Sequence, residues 1–242
     1  MELEHLGTPK NGVLTNLVNL KIKDFDITSI LKKHFDIPVI LKNDAKCAGL
    51  AEKTYGALKE YQNAVFLCLG TGIGASVFMG GEELQLRRNL GMEIGHMVID
   101  KNGIECNCGK RGCFEAYCSI KRLKNKLIDA MNLSKEISSK ELLKILKLRC
   151  QEISVKKILD EYIGNLNIGL SNIIDIFAPQ VICLGGGFVY FKDILYESFL
   201  EKYYNENKLF YKDEIPDIKL AVLGNDAGII GATIWQKQKK IV

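Results

Sequence analysis

Residues 63–81 read NAVFLCLGTGIGASVFMGG, and this stretch decides the architecture. An apolar run of strand length, 63–69, enters the turn LGTGIG. A second strand-like run, Ala75 to Met79, leaves it and closes on Gly80 and Gly81. Valine, phenylalanine and leucine bounded by glycine predict two strands joined by a tight turn. The turn is not a Walker loop, because no GK[ST] follows. Nor is it a Rossmann fingerprint, because its glycines lead into a strand rather than a helix. Two readings of the turn stay open: an ordinary hairpin corner, or a set of backbone N–H groups that holds an anion with the Thr71 hydroxyl.

Toward the amino terminus, an alanine-rich helix is predicted from Asp44 to Tyr55, ending at Gly56, where a residue free to take positive φ commonly stops a helix. A short strand, Pro38 to Leu41, and a helical stretch, Ile27 to His34, precede it, after a turn-rich start. Toward the carboxyl terminus, Gly91 to Gly112 reads as a loop region. Helices follow over Phe114 to Met131, Ser139 to Lys147 and Val155 to Phe177, the last ended by Pro179. A buried strand, Gln180 to Leu184, runs into Gly185, Gly186 and Gly187, and a helix through Leu195 and Phe199 comes next. The chain closes with a strand, Ile218 to Leu223, the turn Gly224-Asn225-Asp226 and a helix, Ala227 to Lys237. Strands alternating with helices, without an internal repeat, predict an α/β protein.

The 242 residues are 47% hydrophobic and 26% charged, a balance that excludes a disordered chain and allows a sizeable core. A net charge of +4 is too mild for a nucleic-acid footprint, and the basic runs Lys121 to Lys126 and Lys237 to Lys240 read as solvated helix faces. The opening MELEHLGTPKNG has neither a signal pattern nor an apolar span, which predicts a cytoplasmic protein with no membrane partner. In a reducing compartment the eight cysteines are not expected to pair as disulfides; Cys47, Cys68, Cys150 and Cys183 read as core thiols.

A cluster is different. His96, Cys106, Cys108 and Cys113 are spaced H-x9-C-x-C-x4-C with Gly103, Gly109 and Gly112 among them. Three thiolates and one imidazole complete a tetrahedral shell for zinc with no open position, so the predicted site is structural. Cys118 is a spare candidate that falls within the next helix. Zinc held this way would bring Glu93 close to Glu115, two carboxylates able to accept hydrogen bonds from a polyhydroxylated ligand. Glu115 also reads as an acid complementing a helix dipole. Asn43-Asp44 sits between strand and helix. There Asp44 is either an N-cap or a general base facing the glycine hairpin across a cleft.

Together these segments resemble the ROK family (repressor, open reading frame, kinase). NDAKCAGLAE (43–52) is similar to the family's catalytic-aspartate segment, LGTGIG (69–74) to its second phosphate loop, and LGMEIGHM (90–97) to its E-x-G-H sugar motif. CNCGKRGCFEAYCS (106–119) resembles its zinc signature, PQVICLGGG (179–187) its adenosine-side segment, and LGNDAGIIGA (223–232) its closing helix. The resemblance implies an actin-like ATPase fold, ribonuclease H-like and hexokinase-type, with two α/β domains around a cleft. It implies ATP-dependent phosphorylation of a hexose or N-acetylhexosamine, glucokinase-like, or alternatively a non-catalytic sugar-binding protein of the family's regulator type.

By the same resemblance Asp44 is the catalytic base. Asn19, Asn43, Asp44, Glu93, His96 and Glu115 are sugar ligands, and Gly70, Thr71, Gly72, Gly74, Gly185, Gly186 and Gly187 are nucleotide contacts. His96, Cys106, Cys108 and Cys113 hold structural zinc, Mg²⁺ arrives with ATP, and the assembly is a homodimer. Family kinases open with a D-x-G-G-T motif, and no such motif precedes Asp44. Against that pattern roughly sixty residues of an α/β half-domain are missing (whole domains run ~100 residues or more), which implies a small domain incomplete at the amino terminus. The expected division is a remnant small domain, 1–62, joined by the closing helix, 226–242, and a large domain, 63–225, with the zinc knuckle. Catalysis by such a chain alone is in question.

Overall fold

The computed structural model describes residues 13–17, 22–37, 39, 41–84, 92–206 and 214–238. Strands β1 (Val13–Leu17) and β2 (Ile22–Asp26) form an antiparallel pair. Helix α1 (Ile27–Lys32) begins where Asp26 Oδ1 accepts from the Ser29 N–H at 2.9 Å. Then come α2 (Asp44–Tyr55), β3 (Ala64–Leu69), β4 (Ile73–Met79), β5 (Glu82–Glu83), α3 (Phe114–Cys118) and α4 (Ile120–Ala130). The chain continues through α5 (Ser139–Arg149), α6 (Ile153–Phe177), β6 (Val181–Gly186), α7 (Lys192–Glu206), β7 (Asp217–Leu220) and α8 (Ala227–Gln238).

The second sheet has the order β5-β4-β3-β6-β7; β3, β6 and β7 run parallel, and β4 and β5 antiparallel to their neighbours. Alternation sends the side chains of β3 to two different cores. Ala64 and Phe66 join Cys47 and Leu50 of α2 and Ile234 of α8. Val65, Leu67 and Leu69 join Phe114, Leu127, Leu166 and Leu170 on the other face. Helices on both faces are the reason β3 and β6 are continuous apolar runs rather than alternating ones. Helices α2 and α8 pack together on one face of this sheet.

Small residues set how α2 lies. A Cβ on Gly231 of α8 would overlap the backbone carbonyl of Cys47, and a Cβ on Gly74 of β4 would come within 2.5 Å of Ala45 Cβ. This close approach seats the amino end of α2 beside the turn between β3 and β4.

Several elements differ from expectation. The helix predicted over Phe114 to Met131 is broken at Ser119, which is extended (φ −66°, ψ 142°). The break lets both Cys118 and Ile120 bury, and the Tyr162 hydroxyl donates to the Cys118 carbonyl at 3.0 Å. The strand predicted to reach Leu223 stops at Leu220, because the Val222 and Leu223 amides donate to the Glu52 carboxylate instead. Of the strand predicted at Pro38 to Leu41, Val39 and Leu41 have no regular structure, and Pro38 and Ile40 lie outside the described residues. Helix α6 ends at Ala178 in the left-handed region (φ 41°), one residue before Pro179. Among the described residues no helix is long and apolar enough to cross a membrane.

Candidate functional site

The loop after residue 92 folds on itself through two isolated bridges, Val98 with Cys113 and Glu105 with Arg111. Gly112 (φ 73°) accepts a close approach of the Asp100 carbonyl that a Cβ would forbid. The hairpin tip is closed by Cys106 N–H to Lys110 O at 2.8 Å and by Gly109 N–H to Cys106 O at 3.0 Å. Tyr117 braces it, accepting from the Ile104 N–H and donating to Asp100 Oδ2, both at 3.0 Å.

This frame collects His96, Cys106, Cys108 and Cys113, whose ligand atoms all lie within 4.8 Å of one another. The His96 Nδ1 to Cys106 Sγ and Cys108 Sγ to Cys113 Sγ distances are both 3.6 Å. A Zn–S bond of ~2.3 Å gives a tetrahedral edge of roughly 3.8 Å, so the four donors fit one zinc ion. Burial pushes the Cys113 thiol up to about 12, and a zinc ion bound here would displace the thiol protons. Cys118 is not part of the set: it is buried in the core with its thiol 4.0 Å from the Tyr162 carbonyl.

Asn43, not Asp44, caps α2: its Oδ1 accepts from the Lys46 N–H at 3.1 Å. The N-cap alternative for Asp44 is thereby removed. Asp44 is the first helical residue, with Oδ1 receiving the Ala45 N–H at 2.8 Å and the side chain exposed. It lines an open cleft of about 700 Å³ together with Asn43, Gly70, Thr71, Gly72, Gly74, Glu93, His96, Glu115, Gly186 and Gly187. The cleft lies at the carboxyl ends of the paired strands β3 and β6, where open α/β sheets place ligands. Glu93 opens onto the cleft but has protein behind it. Burial pushes its carboxyl above the ordinary range, His96 and Lys46 pull it back, and Glu115 pushes it further up. With Nδ1 of His96 beside Cys106 Sγ, Nε2 is the nitrogen left for the cleft.

Glu115 has a role that spacing did not reveal: its Oε2 accepts from the Ile73 N–H at 2.9 Å. One candidate falls elsewhere. Gly185 is a buried residue of β6 beside the Phe66 ring and is not on the cleft wall; its small size serves packing against Phe66 and Ala221. Asn19 lies outside the described residues.

Residues the sequence reading passed over also line the cleft. Lys121, Arg122 and Asn125, read as part of a solvated face, stand there because the break at Ser119 turns the start of α4 toward it. Glu52 is fully buried, with Oε1 accepting from Val222 N–H (2.9 Å) and Leu223 N–H (2.8 Å) and Oε2 from Ala57 N–H (2.8 Å). A glutamate eight residues after Asp44 on a helix otherwise rich in alanine was the available signal.

A ROK family profile matches residues 7–239. The chain is 31% identical to the glucokinase of Thermotoga maritima over 224 residues, 88% of this chain and 70% of that protein. It is 31% identical to the N-acetylmannosamine kinase of Haemophilus influenzae over 239 residues, 96% of this chain and 75% of the other. It is 33% identical to the xylose repressor of Bacillus spizizenii over 175 residues, 72% of this chain but 44% of the repressor, so it spans less than half the length of that relative. Among solved structures, the ROK hexokinase of Thermus thermophilus superposes with a TM-score of 0.72 at 29% identity, covering 90% of this chain and 72% of the other. A ROK glucokinase of Streptomyces griseus, solved with glucose and AMPPNP, superposes at 0.84 with 20% identity, covering 97% and 79%, which bears on the fold alone. With the actin-like architecture shared by these structures and a family match that runs nearly end to end, the chain belongs to the ROK family.

Proposed function

We propose that the chain carries the sugar and nucleotide sites of an ATP-dependent kinase acting on a hydroxyl of a hexose or N-acetylhexosamine. The observation that carries this reading is the division of labour at the start of α2. Asn43 supplies the cap, so Asp44 presents its carboxylate to a cleft that also holds the glycine turn, Glu93, His96 and Glu115. In this reading Asn43, Glu93, His96 and Glu115 bind sugar hydroxyls. Asp44 takes the proton from the attacking hydroxyl as the γ-phosphoryl group transfers. Thr71 and the backbone of Gly70, Gly72 and Gly74 face the phosphates, with Gly186 and Gly187 on the nucleotide side. Zinc on His96, Cys106, Cys108 and Cys113 would fix ring orientation and loop shape, and Mg²⁺ would neutralise phosphate charge. The glucokinase and N-acetylmannosamine kinase relatives support this reading.

A second reading is favoured by the xylose repressor relative: saturable sugar binding without turnover. A coupled ADP-release assay across a sugar panel separates the two. Turnover that falls about 10²–10⁴-fold in Asp44→Asn supports the kinase. Sugar binding with no turnover supports the second reading, and turnover unchanged in Asp44→Asn refutes the assigned base.

A further inference from the structure

The acidic residue next to the metal cluster touches the glycine turn as well as the cleft. Glu115 lies two residues after Cys113 in the first turn of α3, and Cys113 is itself pinned by its bridge to Val98 and by the Phe114 N–H donating to the Met97 carbonyl at 2.8 Å. From there Glu115 Oε2 accepts from the Ile73 N–H at 2.9 Å and lies 2.5 Å from where a Cβ on Gly72 would stand. Gly72 must therefore be glycine for the carboxylate to reach the backbone. The same turn is tied a second time from this side, because the Lys121 N–H donates to the Gly70 carbonyl at 3.2 Å. Within the turn, Gly70 N–H donates to Gly72 O at 2.9 Å. A Cβ on Gly70 would meet nothing within 4 Å among the described residues, so the described ties on the turn come from the Glu115 and Lys121 side.

We propose that Glu115 is a positioning residue for the glycine turn: it transmits the rigidity of the His96–Cys113 corner to the backbone of residues 70–73, and so sets affinity for a polyphosphate such as the nucleotide. The nucleotide part rests on the kinase reading above; the positioning part does not. A carboxylate accepting a backbone N–H is among the stronger hydrogen bonds, and here it crosses between segments 42 residues apart in sequence. One carboxylate oxygen is committed to the turn, which leaves Oε1 for any ligand hydroxyl. Glu93, on the same corner, has no such contact with the turn among the described hydrogen bonds, which makes it the control.

The test compares Glu115→Ala, Glu115→Gln and Glu93→Ala in the full chain. Backbone hydrogen exchange of the segment containing residues 70–73 is followed without ligand, and Mg-ADP affinity is titrated without sugar. Glutamine keeps an oxygen that can accept from Ile73, whereas alanine does not. The expected result is faster exchange in the turn for Glu115→Ala and about tenfold weaker Mg-ADP binding, the loss of one hydrogen bond to a charged group. Glu115→Gln should restore both to within about threefold, and Glu93→Ala should change neither. Far-UV circular dichroism checks that the variants fold, and the glutamine variant carries the comparison if the alanine one does not: turn exchange like wild type in a folded Glu115→Gln, against acceleration in Glu115→Leu, is then expected. Turn exchange unchanged by loss of the acceptor overturns the positioning role. Accelerated exchange in a chain whose wild type binds no Mg-ADP upholds it and refutes the nucleotide reading.

Discussion

Glu52→Ala should destabilise the fold more than any surface change, because the glutamate is the acceptor for three backbone amides, one just past the end of its own helix and two in a segment 170 residues away. Its carboxylate is fully buried, and it takes the Ala57, Val222 and Leu223 N–H groups at 2.8, 2.9 and 2.8 Å. A hydrogen bond to a charged group contributes roughly 1.5–3 kcal/mol net. All three bonds are only partly buried, so part of that value is recovered from water when the carboxylate is lost. Each amide left without its acceptor costs about 1–3 kcal/mol, which over three partly buried amides gives an expected cost of about 3–5 kcal/mol. At roughly 2–4 °C per kcal/mol for a chain of this size, the melting temperature should fall by at least about 6 °C. Thermal melts followed by circular dichroism, with urea unfolding for the free energy, measure it. Glu52→Gln keeps one oxygen able to accept two amides but turns an NH₂ toward Ala57, so it should lose about 1–2 kcal/mol. A melting temperature for Glu52→Ala within 2 °C of wild type, on the same scale of roughly 2–4 °C per kcal/mol, would refute the claim that this carboxylate ties α2 to the segment before α8.

Gly231→Ala sets two effects of opposite sign against each other. Helix propensity favours alanine by ~1 kcal/mol, but the new Cβ meets the Cys47 carbonyl, so a net loss of about 1–3 kcal/mol is expected in urea unfolding. Burial pushes the Glu83 carboxyl up against the opposing pull of Lys42 and Lys46. A raised folded value means that the folded state binds more protons than the unfolded one above the usual glutamate range, so this contribution to stability is lost as pH rises. Glu83→Gln should therefore gain on wild type between pH 4 and pH 7, and urea midpoints across that range check it. Purified protein should contain one zinc per chain by elemental analysis, and Cys108→Ser should lose it. Removing the metal should cost about 2.7 kcal/mol where free zinc had stood at a hundred times its Kd, read as a lower melting temperature.

What the sequence alone determined was local. The hairpin at 63–81, the helix behind Asp44 and the long helix ending before Pro179 were legible because strand composition, glycine and proline act over a few residues. The grouping of His96 with Cys106, Cys108 and Cys113 was legible for the same reason, since three thiols and an imidazole within eighteen residues with glycines among them can fold back on one point. Tertiary structure decided which competing local preference won. Ser119 interrupts what reads as one helix, because Cys118 and Ile120 both bury and Tyr162 takes the freed carbonyl. That break, invisible in the periodicity, brings Lys121 and Arg122 to the cleft. Asp44 lost the cap to Asn43, and Gly185 lost its place at the cleft to a packing role under Phe66. The sequence offered at most a lone glutamate in an alanine-rich helix for Glu52 and nothing for the turn contact of Glu115, because the Val222 and Ile73 amides they bind lie 170 and 42 positions away. Such partners exist only once the sheet has brought the segments together.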